Sequence, residues 1–473
     1  MTRIRASALP ALLLFLPSLP AFAADIDGAS LGAAWALPFA GMLLSIALLP
    51  LLARAFWHHH YGKVALGWAA LFLLPFATVH GPGAALAGLV HALVAEYIPF
   101  IILLAALFVT AGGICVRGNL HGTPALNTGI LALGTVLASL MGTTGAAMLL
   151  VRPLIRANDN RRHAAHIFVF FIFLVANIGG SLTPLGDPPL FLGFLQGVEF
   201  SWTLKALWRE TLFSAVLLLA AFYALDSYYF HQREEERPLY MDPSPDAPVW
   251  FEGKFNFVLI AAVIGLVLLS GVWKPGVSWD LLGTPVALQD LVRDLGLLAV
   301  IGLSLRFTAA EVRAGNEFDW EPMREVAKLF IGIFLTIIPV IAMLRAGADG
   351  AFAAVAHMVN DAAGRPVDAM YFWATGLLSA FLDNAPTYLV FFNMAGGGAQ
   401  RLMGEAAGTL AAISCGAVFM GAMSYIGNAP NLMVKAIAEH RGVRMPGFFG
   451  YLGWSCCILL PLFLILTLVF FRG

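Results

Sequence analysis

Two aspartates interrupt otherwise apolar sequence and could do chemistry there. Asp187 lies in NIGGSLTPLGDPP and Asp383 lies in SAFLDNAPT. A charged side chain inside a membrane is costly, so it marks a candidate functional site. A carboxylate in a low-dielectric site can exchange a bound proton for a bound cation, which is the minimal chemistry of a cation/proton antiporter. The alternative is that either residue only caps the start of a helix, a position that Asp favours.

Neutral polar residues accompany both aspartates and could complete an ion site. Hydroxyl and amide oxygens are hard ligands that suit Na⁺, as do backbone carbonyls freed where a helix unwinds. The candidates are Thr143, Thr144, Asn177, Ser181, Thr183, Asn384, Asn428 and Asn431. Each of them could instead form a hydrogen bond between helices, and the sequence leaves both interpretations open.

Glycines and prolines beside these positions predict breaks in the helices that carry them. Glycine permits unusual backbone conformations and close helix contacts. Proline lacks the amide hydrogen that a helix interior needs. This set comprises Gly142, Gly145, Gly179, Gly180, Gly186, Pro386, Gly427 and Pro430.

The composition requires that a membrane surround these residues. The chain has 473 residues, of which 60% are hydrophobic and 12% charged, and its formal net charge is −1. Average soluble domains are about 45–50% apolar and about 25% charged. These values exclude a soluble multidomain protein, a secreted disulfide scaffold, a disordered chain and a nucleic-acid-binding protein. The sequence contains no HExxH, GxSxG, GxGxxG or Walker motif, so we expect neither an enzyme nor an ATP-driven pump, and no cofactor.

Apolar segments predict an all-α polytopic membrane protein, because a crossing helix needs about 20 apolar residues. The predicted spans are Ala33–Leu52, Ala65–Val79, Ile98–Cys115, Leu204–Tyr229, Phe255–Val272, Leu295–Phe307, Leu329–Leu344 and Phe448–Phe471. Four further zones are too long for one crossing, namely Leu126–Ala157, His163–Val198, Val367–Gly397 and Ala406–His440. We predict that each half contains a re-entrant helical hairpin followed by a broken crossing helix.

Loop charges and an internal repeat favour two halves of opposite topology. Most Arg and Lys residues fall in cytoplasmic loops if the two hairpins open to opposite sides of the membrane, in agreement with the positive-inside rule. Thr144 aligns with Asn384 at an offset of 240 residues, and Asp187 aligns with Asn428 at an offset of 241. Paired interruptions of this kind point to a binding site at the membrane midplane.

The chain divides into four parts. Residues 1–23 match a bacterial-type signal peptide, with the basic start MTRIR, a short apolar run and a cleavage site at Ala21-Phe22-Ala23. Residues 24–230 form the first half, an extra span plus the first repeat. Residues 231–254 form a polar, Pro-rich cytoplasmic linker, and residues 255–473 form the inverted second half. We therefore expect a bacterial inner-membrane protein whose mature N-terminus lies outside the cytoplasm.

These motifs resemble the ion transporter superfamily, which groups NhaD-type sodium/proton antiporters, citrate transporters, arsenite permeases and divalent-anion/sodium symporters. Asn177–Pro189 resembles the NhaD-type first-half motif, and Asp383-Asn384-Ala385-Pro386 resembles its D-N-x-P second-half motif. The resemblance implies two inverted repeats of five spans and a homodimer with elevator-like movement. It also implies that Thr144, Asp187, Asp383, Asn384 and Asn428 line the ion sites.

Two transport functions remain open. The first is a sodium (or lithium)/proton antiporter in which Asp187 and Asp383 alternate between protonated and Na⁺-bound states. The alternative is a Na⁺- or H⁺-coupled carrier of citrate or another oxyanion, with helix N-termini at the hairpin tips as donors. The tips Gly142-Thr143-Thr144-Gly145 and Asp383-Asn384-Ala385-Pro386 lack the Ser-Asn-Thr form with which the family's carboxylate symporters bind carboxylate and sodium, which favours the first. In both cases the partners are the lipid bilayer, a monovalent cation and a proton.

Overall fold

Helices account for most of the structure. The computed structural model describes residues 27–232 and 247–472. The predicted signal peptide and residues 233–246 of the predicted linker lie outside the described residues. Short 3-10 turns cover Gly28–Ser30, Ala33–Ala36, Ile178–Leu182, Gly347–Asp349 and Gly421–Met423, and a single π-helical turn covers Ala92–Tyr97.

The first half contains nine helices within its described residues. They are α1 (Leu37–Leu52), α2 (Arg54–His80), α3 (Pro82–His91), α4 (Ile98–Ala111), α5 (Pro124–Met141), α6 (Thr143–Ala157), α7 (Ala165–Leu174), α8 (Pro188–Leu195) and α9 (Phe200–Gln232). The strand β1 (Cys115–Asn119) follows α4 and pairs antiparallel with β2 (Ala247–Glu252), which precedes the second half. This ladder ties the two halves together at one end of the molecule.

The second half continues with twelve helices in the same described part of the chain. They are α10 (Phe255–Val272), α11 (Leu288–Phe307), α12 (Ala310–Gly315), α13 (Glu321–Thr336), α14 (Ile338–Arg345), α15 (Ala353–Val359), α16 (Asp368–Phe381), α17 (Asn384–Met394), α18 (Ala399–Met403), α19 (Ala407–Met420), α20 (Ala429–His440) and α21 (Phe448–Phe470). A β-hairpin of β3 (Ser278–Leu281) and β4 (Thr284–Ala287) joins α10 to α11. The sequence analysis did not predict either pair of strands.

Within residues 27–232 and 247–472, eight helices are long and apolar enough to cross a membrane. A ninth candidate is α13 and α14 together, which bend by 44° at their junction. The predicted span Leu295–Phe307 is part of α11, which is not among the eight. Its first two turns carry Asp290, Arg293 and Asp294, which reduce the apolar length.

Burial identifies the segment at the centre of the bundle. In the candidate span Ala165–Leu182, 89% of the residues are buried, whereas the seven other long apolar helices in the described chain are 22–50% buried. Their exposed sides carry apolar residues such as Leu212 and Val258, as expected for helices that contact lipid. The segment that leads into the NIGGSLTPLGD motif is therefore enclosed by the bundle, as is α19 in the other half, where every residue from Thr409 to Met420 is buried.

Each of the four long zones contains two helices separated by a break, as predicted. The zones α5–α6 and α16–α17 are hairpins, with tips at Gly142 and Asp383. The zones α7–α8 and α19–α20 are interrupted by a 3-10 turn followed by irregular backbone. The second limb of each hairpin packs on the broken helix of the other half, α17 on α8 and α6 on α20. This crossed packing brings the four breaks to one place.

Candidate functional site

Asp187 is the centre of the site at which these breaks meet. It precedes α8 with extended backbone, and its side chain is buried. Its Oδ1 atom accepts a hydrogen bond from the Thr143 hydroxyl at 2.9 Å and from Asn428 Nδ2 at 3.0 Å. Its Oδ2 atom accepts from Asn384 Nδ2 at 2.5 Å. Each of the four breaks therefore contributes one side chain to a single carboxylate centre.

A second layer of amides holds these groups in position. Asn428 Nδ2 also donates to the backbone oxygen of Ala176, at 3.0 Å. Asn177 Nδ2 donates to Asn431 Oδ1 at 2.7 Å, and Asn431 Nδ2 donates to the backbone oxygens of Gly421 and Ser424, each at 2.9 Å. Asn177 and Asn431 are fully buried. They connect the two broken helices and do not contact Asp187 directly.

The contacts of the two halves match at a constant offset of 241 residues. Thr143 and Asn384 each begin the second limb of a hairpin, and both donate to Asp187. Asp187 and Asn428 each precede the second helix of a broken pair. The sequence alignment paired Thr144 with Asn384, one residue out of step with this offset. In the structure Thr143, not Thr144, bonds to the carboxylate.

A second pair of hydrogen bonds follows the same offset. The Thr183 hydroxyl donates to the backbone oxygen of Ser139 on α5. In the other half, the Ser424 hydroxyl donates to the backbone oxygen of Ala380 on α16, at 2.5 Å. In both halves, therefore, the break in the crossing helix is bonded to the first limb of its own hairpin.

Two glycine pairs allow the broken helices to fold back on themselves. A Cβ atom on Gly186 would lie 2.1 Å from the backbone oxygen of Gly180, and one on Gly427 would lie 2.6 Å from that of Gly421. Such distances exclude any side chain unless the backbone moves. At the first hairpin tip, Gly142 has φ +81°, a conformation that favours glycine. Gly186, Gly427 and Gly142 thus lie where the backbone leaves no room for a side chain or has a positive φ.

Other predicted positions lie near the breaks but contact other groups. Ser181 shares a hydrogen bond of 2.7 Å with Thr211 on α9 and also bonds to Ile178 O. Gly179 lies against α5, where an added Cβ would meet Thr135 O at 2.6 Å. Gly145 contacts Ala111 more loosely, at 3.0 Å from the same hypothetical atom. Pro386 and Pro430 occupy the first turns of α17 and α20.

Asp383 caps a helix and also lies close to Asp187. Its Oδ1 atom accepts a hydrogen bond from the Ala385 amide at 3.0 Å, which caps α17. Its backbone oxygen accepts from the Thr387 hydroxyl at 2.9 Å. Asp383 directly precedes Asn384, whose Nδ2 atom donates to Asp187. The capping interpretation is therefore correct for Asp383, and it leaves a second acidic group beside the central one.

One oxygen of the site lacks a partner. Asn384 Oδ1 is buried and accepts no hydrogen bond within residues 27–232 and 247–472. A buried acceptor without a donor is costly, so it favours a ligand that supplies positive charge or a proton. With Asp187 and the Thr143 hydroxyl it forms a set of hard oxygen ligands. In the described part of the chain, no three His, Cys, Asp or Glu residues cluster in a way that could hold a transition metal.

The sequence analysis missed a second buried polar network. Asp226 on α9 is fully buried, and Arg161 Nη2 donates to its Oδ1 atom at 2.6 Å. The ring of His166 lies 2.8 Å from the same oxygen, and Asn127 Nδ2 donates to Oδ2 at 3.0 Å. Asp226 stands inside an apolar span, the same signal that identified Asp187.

A further buried acid, Glu96, lies in the π-helical turn. It accepts a hydrogen bond from Gln196 Nε2 at 3.1 Å, so it connects that turn to the end of α8. Only 8% of Glu96 is exposed.

A comparison with known protein families identifies the family of this chain. The family described as "Putative citrate transport" matches residues 28–471 of the chain. The chain belongs to this family. The match spans both hairpins and both broken helices, so every residue of the Asp187 site lies within the matched range. The protein is thus a multi-pass membrane protein of a transporter family. Among curated proteins, none matches the chain.

Proposed function

We propose that this protein is a secondary transporter that couples the movement of citrate or a related carboxylate anion to Na⁺ or H⁺. The observation that carries the coupling is the buried Asp187 carboxylate, bonded by Thr143, Asn384 and Asn428 from both halves. The substrate class rests on membership of the citrate-transport family.

Charge neutralisation gives the physical reason for coupling at Asp187. A bare carboxylate in a dehydrated site carries a large desolvation cost, and a bound proton or Na⁺ removes most of that charge. The site with a bound proton or Na⁺ is therefore nearly neutral and can move through the membrane core more easily than the charged, empty site. Because an amide group can turn its oxygen or its nitrogen toward the carboxylate, Asn384 and Asn428 can serve either form.

A sodium (or lithium)/proton antiporter is the second candidate, and one observation favours it. Among the described residues, every side chain that bonds to Asp187 is neutral. A carboxylate substrate at this position would need positive groups, and Arg152 is instead bonded to Glu317. In this candidate Asp187 and Asp383 would alternate between Na⁺-bound and protonated states and exchange cytoplasmic Na⁺ for outside H⁺.

Transport by membrane vesicles tests both candidates. Everted vesicles that contain the full chain or its Asp187→Asn variant receive citrate with an imposed Na⁺ or pH gradient. Gradient-driven citrate uptake that the variant loses supports citrate transport. Collapse of the pH gradient by NaCl or LiCl without citrate uptake supports antiport instead. A wild-type chain that gives neither response would overturn both.

We further propose the placement of this transporter. It would lie in the bacterial inner membrane as a homodimer with its mature N-terminus outside the cytoplasm, and its halves would be inverted repeats. Reporter fusions at residues 273–277, which we expect outside, and at residues 231–254, which we expect in the cytoplasm, test the orientation. Native mass spectrometry of the purified chain measures the number of subunits.

A further inference from the structure

Four arginines lie close together on one side of the first hairpin. They do not belong to the hydrogen-bond network of Asp187. Arg152 and Arg156 lie on α6, one turn apart. Arg117 lies on β1, and Arg441 follows the last residue of α20. Arg152 and Arg441 both bond to Glu317, and Arg156 bonds to the backbone oxygen of Val116, the residue that precedes Arg117. The loop charges place this arginine cluster on the predicted cytoplasmic side.

The cluster has more positive than negative charge among the described residues. Arg117 Nε donates to Glu252 at 3.1 Å. Arg156 Nη2 donates to a backbone oxygen, that of Val116, at 2.7 Å. Glu317 is shared, because it bonds to both Arg152 and Arg441. In the described chain, two carboxylates thus face four guanidinium groups.

Arg152 has unused hydrogen-bonding capacity in a buried place. Its side chain is about as buried as Asp187, with 7% of the residue exposed. Its Nη2 atom reaches Glu317 at 3.5 Å, a long contact. Its Nε and Nη1 atoms are buried and have no partner within residues 27–232 and 247–472. A guanidinium binds a carboxylate or phosphate in a bidentate manner through Nη2 together with either Nε or Nη1. Both free donors of Arg152 could therefore serve an anion that takes the place of Glu317 on Nη2.

Glu317 reaches the arginines from an unfavourable backbone conformation. Its φ is +47°, one of two positive values at non-glycine residues in the described chain. Non-glycine residues in this region are strained, and such strain is concentrated at functional sites. Glu317 keeps this backbone conformation while its half-exposed carboxylate bonds to Arg152 and Arg441. Glu317 thus occupies the position that a carboxylate group of a ligand would take.

We propose that Arg152, Arg156 and Arg441 form a binding site for a multiply charged anion, with Glu317 as an internal carboxylate that competes with the ligand. The ligand class is a soluble polycarboxylate. An anionic lipid headgroup offers the same chemistry of several negative oxygens. The arginine site shares no residue with the Asp187 site and carries the opposite charge. The proposal of an anion site therefore does not depend on the proposed transport function.

Binding measurements on the purified full chain test this site with citrate as the probe. Citrate is titrated at constant ionic strength, with chloride as the comparison anion, and its affinity is measured by calorimetry. We expect Glu317→Gln to bind citrate about tenfold more tightly, because a competing charged acceptor is removed. We expect Arg152→Gln and Arg441→Gln to bind it about tenfold more weakly. Arg441 is half exposed, so its variant keeps the proposal testable if Arg152→Gln fails to fold.

Two controls separate this site from other sources of binding. Asp361→Asn breaks an exposed carboxylate–arginine pair elsewhere and should leave the affinity unchanged. The same titrations in the Asp187→Asn background remove the contribution of the midplane site, and the differences made by Glu317→Gln and Arg441→Gln should persist there. Nanodiscs of phosphatidylcholine with and without phosphatidylglycerol test the headgroup source. Stabilisation by phosphatidylglycerol alone, lost in Arg441→Gln, would assign the site to lipid and overturn the soluble ligand. Citrate affinity that is equal in wild type, Glu317→Gln and Arg441→Gln would overturn the site itself.

Discussion

Asn384 and Asp187 are 197 positions apart in the chain, yet Asn384 Nδ2 donates to Asp187 Oδ2 at 2.5 Å. The first residue lies at the tip of the second hairpin, and the second lies in the break of the first crossing helix. This bond joins the two halves of the molecule at their most polar point. A ligand that binds the Asp187 carboxylate would therefore change contacts of both halves.

Neutralising Asp187 should abolish coupled transport. Asp187→Asn removes the group that exchanges a proton or cation, so we expect at least about a hundredfold loss, within the range for a lost charged group. Uptake into proteoliposomes at fixed protein content measures it. Asp383→Asn should be milder, because Asn can also cap α17. Equal activity of wild type and Asp187→Asn would contradict the assignment of the central carboxylate.

Two neighbouring threonines give a matched test of the site geometry. Thr143→Val removes a hydrogen bond to a charged acceptor, which is worth about 1.5–3 kcal/mol, so transport or ion affinity should fall about 10- to 100-fold. Thr144→Val makes the same substitution at the next residue and should have a small effect. The dependence of transport on Na⁺ or H⁺ concentration measures both variants. The reverse order would favour the sequence alignment over the observed contacts.

Close backbone contact predicts that Gly186→Ala prevents the native break from forming. The added Cβ would lie 2.1 Å from Gly180 O, which is a backbone atom and cannot turn aside. We expect little folded protein, measured as the fraction that elutes as a single species in size-exclusion chromatography. Gly302→Ala on α11 is the control, since no atom lies within 4 Å of its added Cβ. Normal yield and transport by Gly186→Ala would show that the break is not tightly packed.

The buried network at Asp226 should contribute to stability and not to coupling. Asp226→Asn leaves the Arg161 charge buried without its counterion, a change that costs about 3–5 kcal/mol in comparable pairs. The Tm in detergent should fall clearly, while ion selectivity of the remaining folded protein stays the same. Asp361→Asn breaks an exposed pair and should change the Tm little. A change in ion selectivity for Asp226→Asn would place this network in the transport pathway.

The ion pairs of Glu317 should make part of the stability pH-dependent. Partial burial alone would raise the pKa of Glu317, but the charges of Arg152 and Arg441 outweigh it and hold the pKa below its usual range. A lowered carboxyl pKa stabilises the fold above the pKa of the unfolded chain and loses this effect as the pH falls through the folded value. The Tm difference between wild type and Glu317→Gln should therefore be present at pH 7 and shrink toward acidic pH. A Tm difference that does not change with pH would mean that the charge of Glu317 does not contribute to stability.

Several features of the fold follow from the sequence alone. A hydrophobic fraction of 60% with few charges requires a membrane, because no soluble core could bury that much apolar surface. Gly and Pro in the middle of zones too long for one crossing predicted the breaks at Gly142 and Gly186. Charges inside apolar segments identified Asp187 and Asp383. These are local consequences of residue type, which a linear pattern records.

The sequence did not determine which side chains meet. Asn177, Asn384, Asn428 and Asn431 all looked alike as polar residues near breaks, but two of them bond to Asp187 and two bond helix to helix. A shift of one residue in the repeat alignment selected Thr144 instead of Thr143. On a helix one position is a rotation of about 100°, so only packing decides which of two neighbours faces the site.

The ladder between β1 and β2 and the arginine cluster also depend on tertiary structure. Arg152 and Glu317 are 165 positions apart, and no pattern in the sequence pairs them. Crossed packing brings α6 beside α20, so Arg152 and Arg441 come to share Glu317. The sequence by itself determined that this chain spans a membrane, where its helices break and which acids are candidates. The tertiary structure decided which groups share a site, because hydrogen bonds and ion pairs depend on distances of a few ångströms between segments that are remote along the chain.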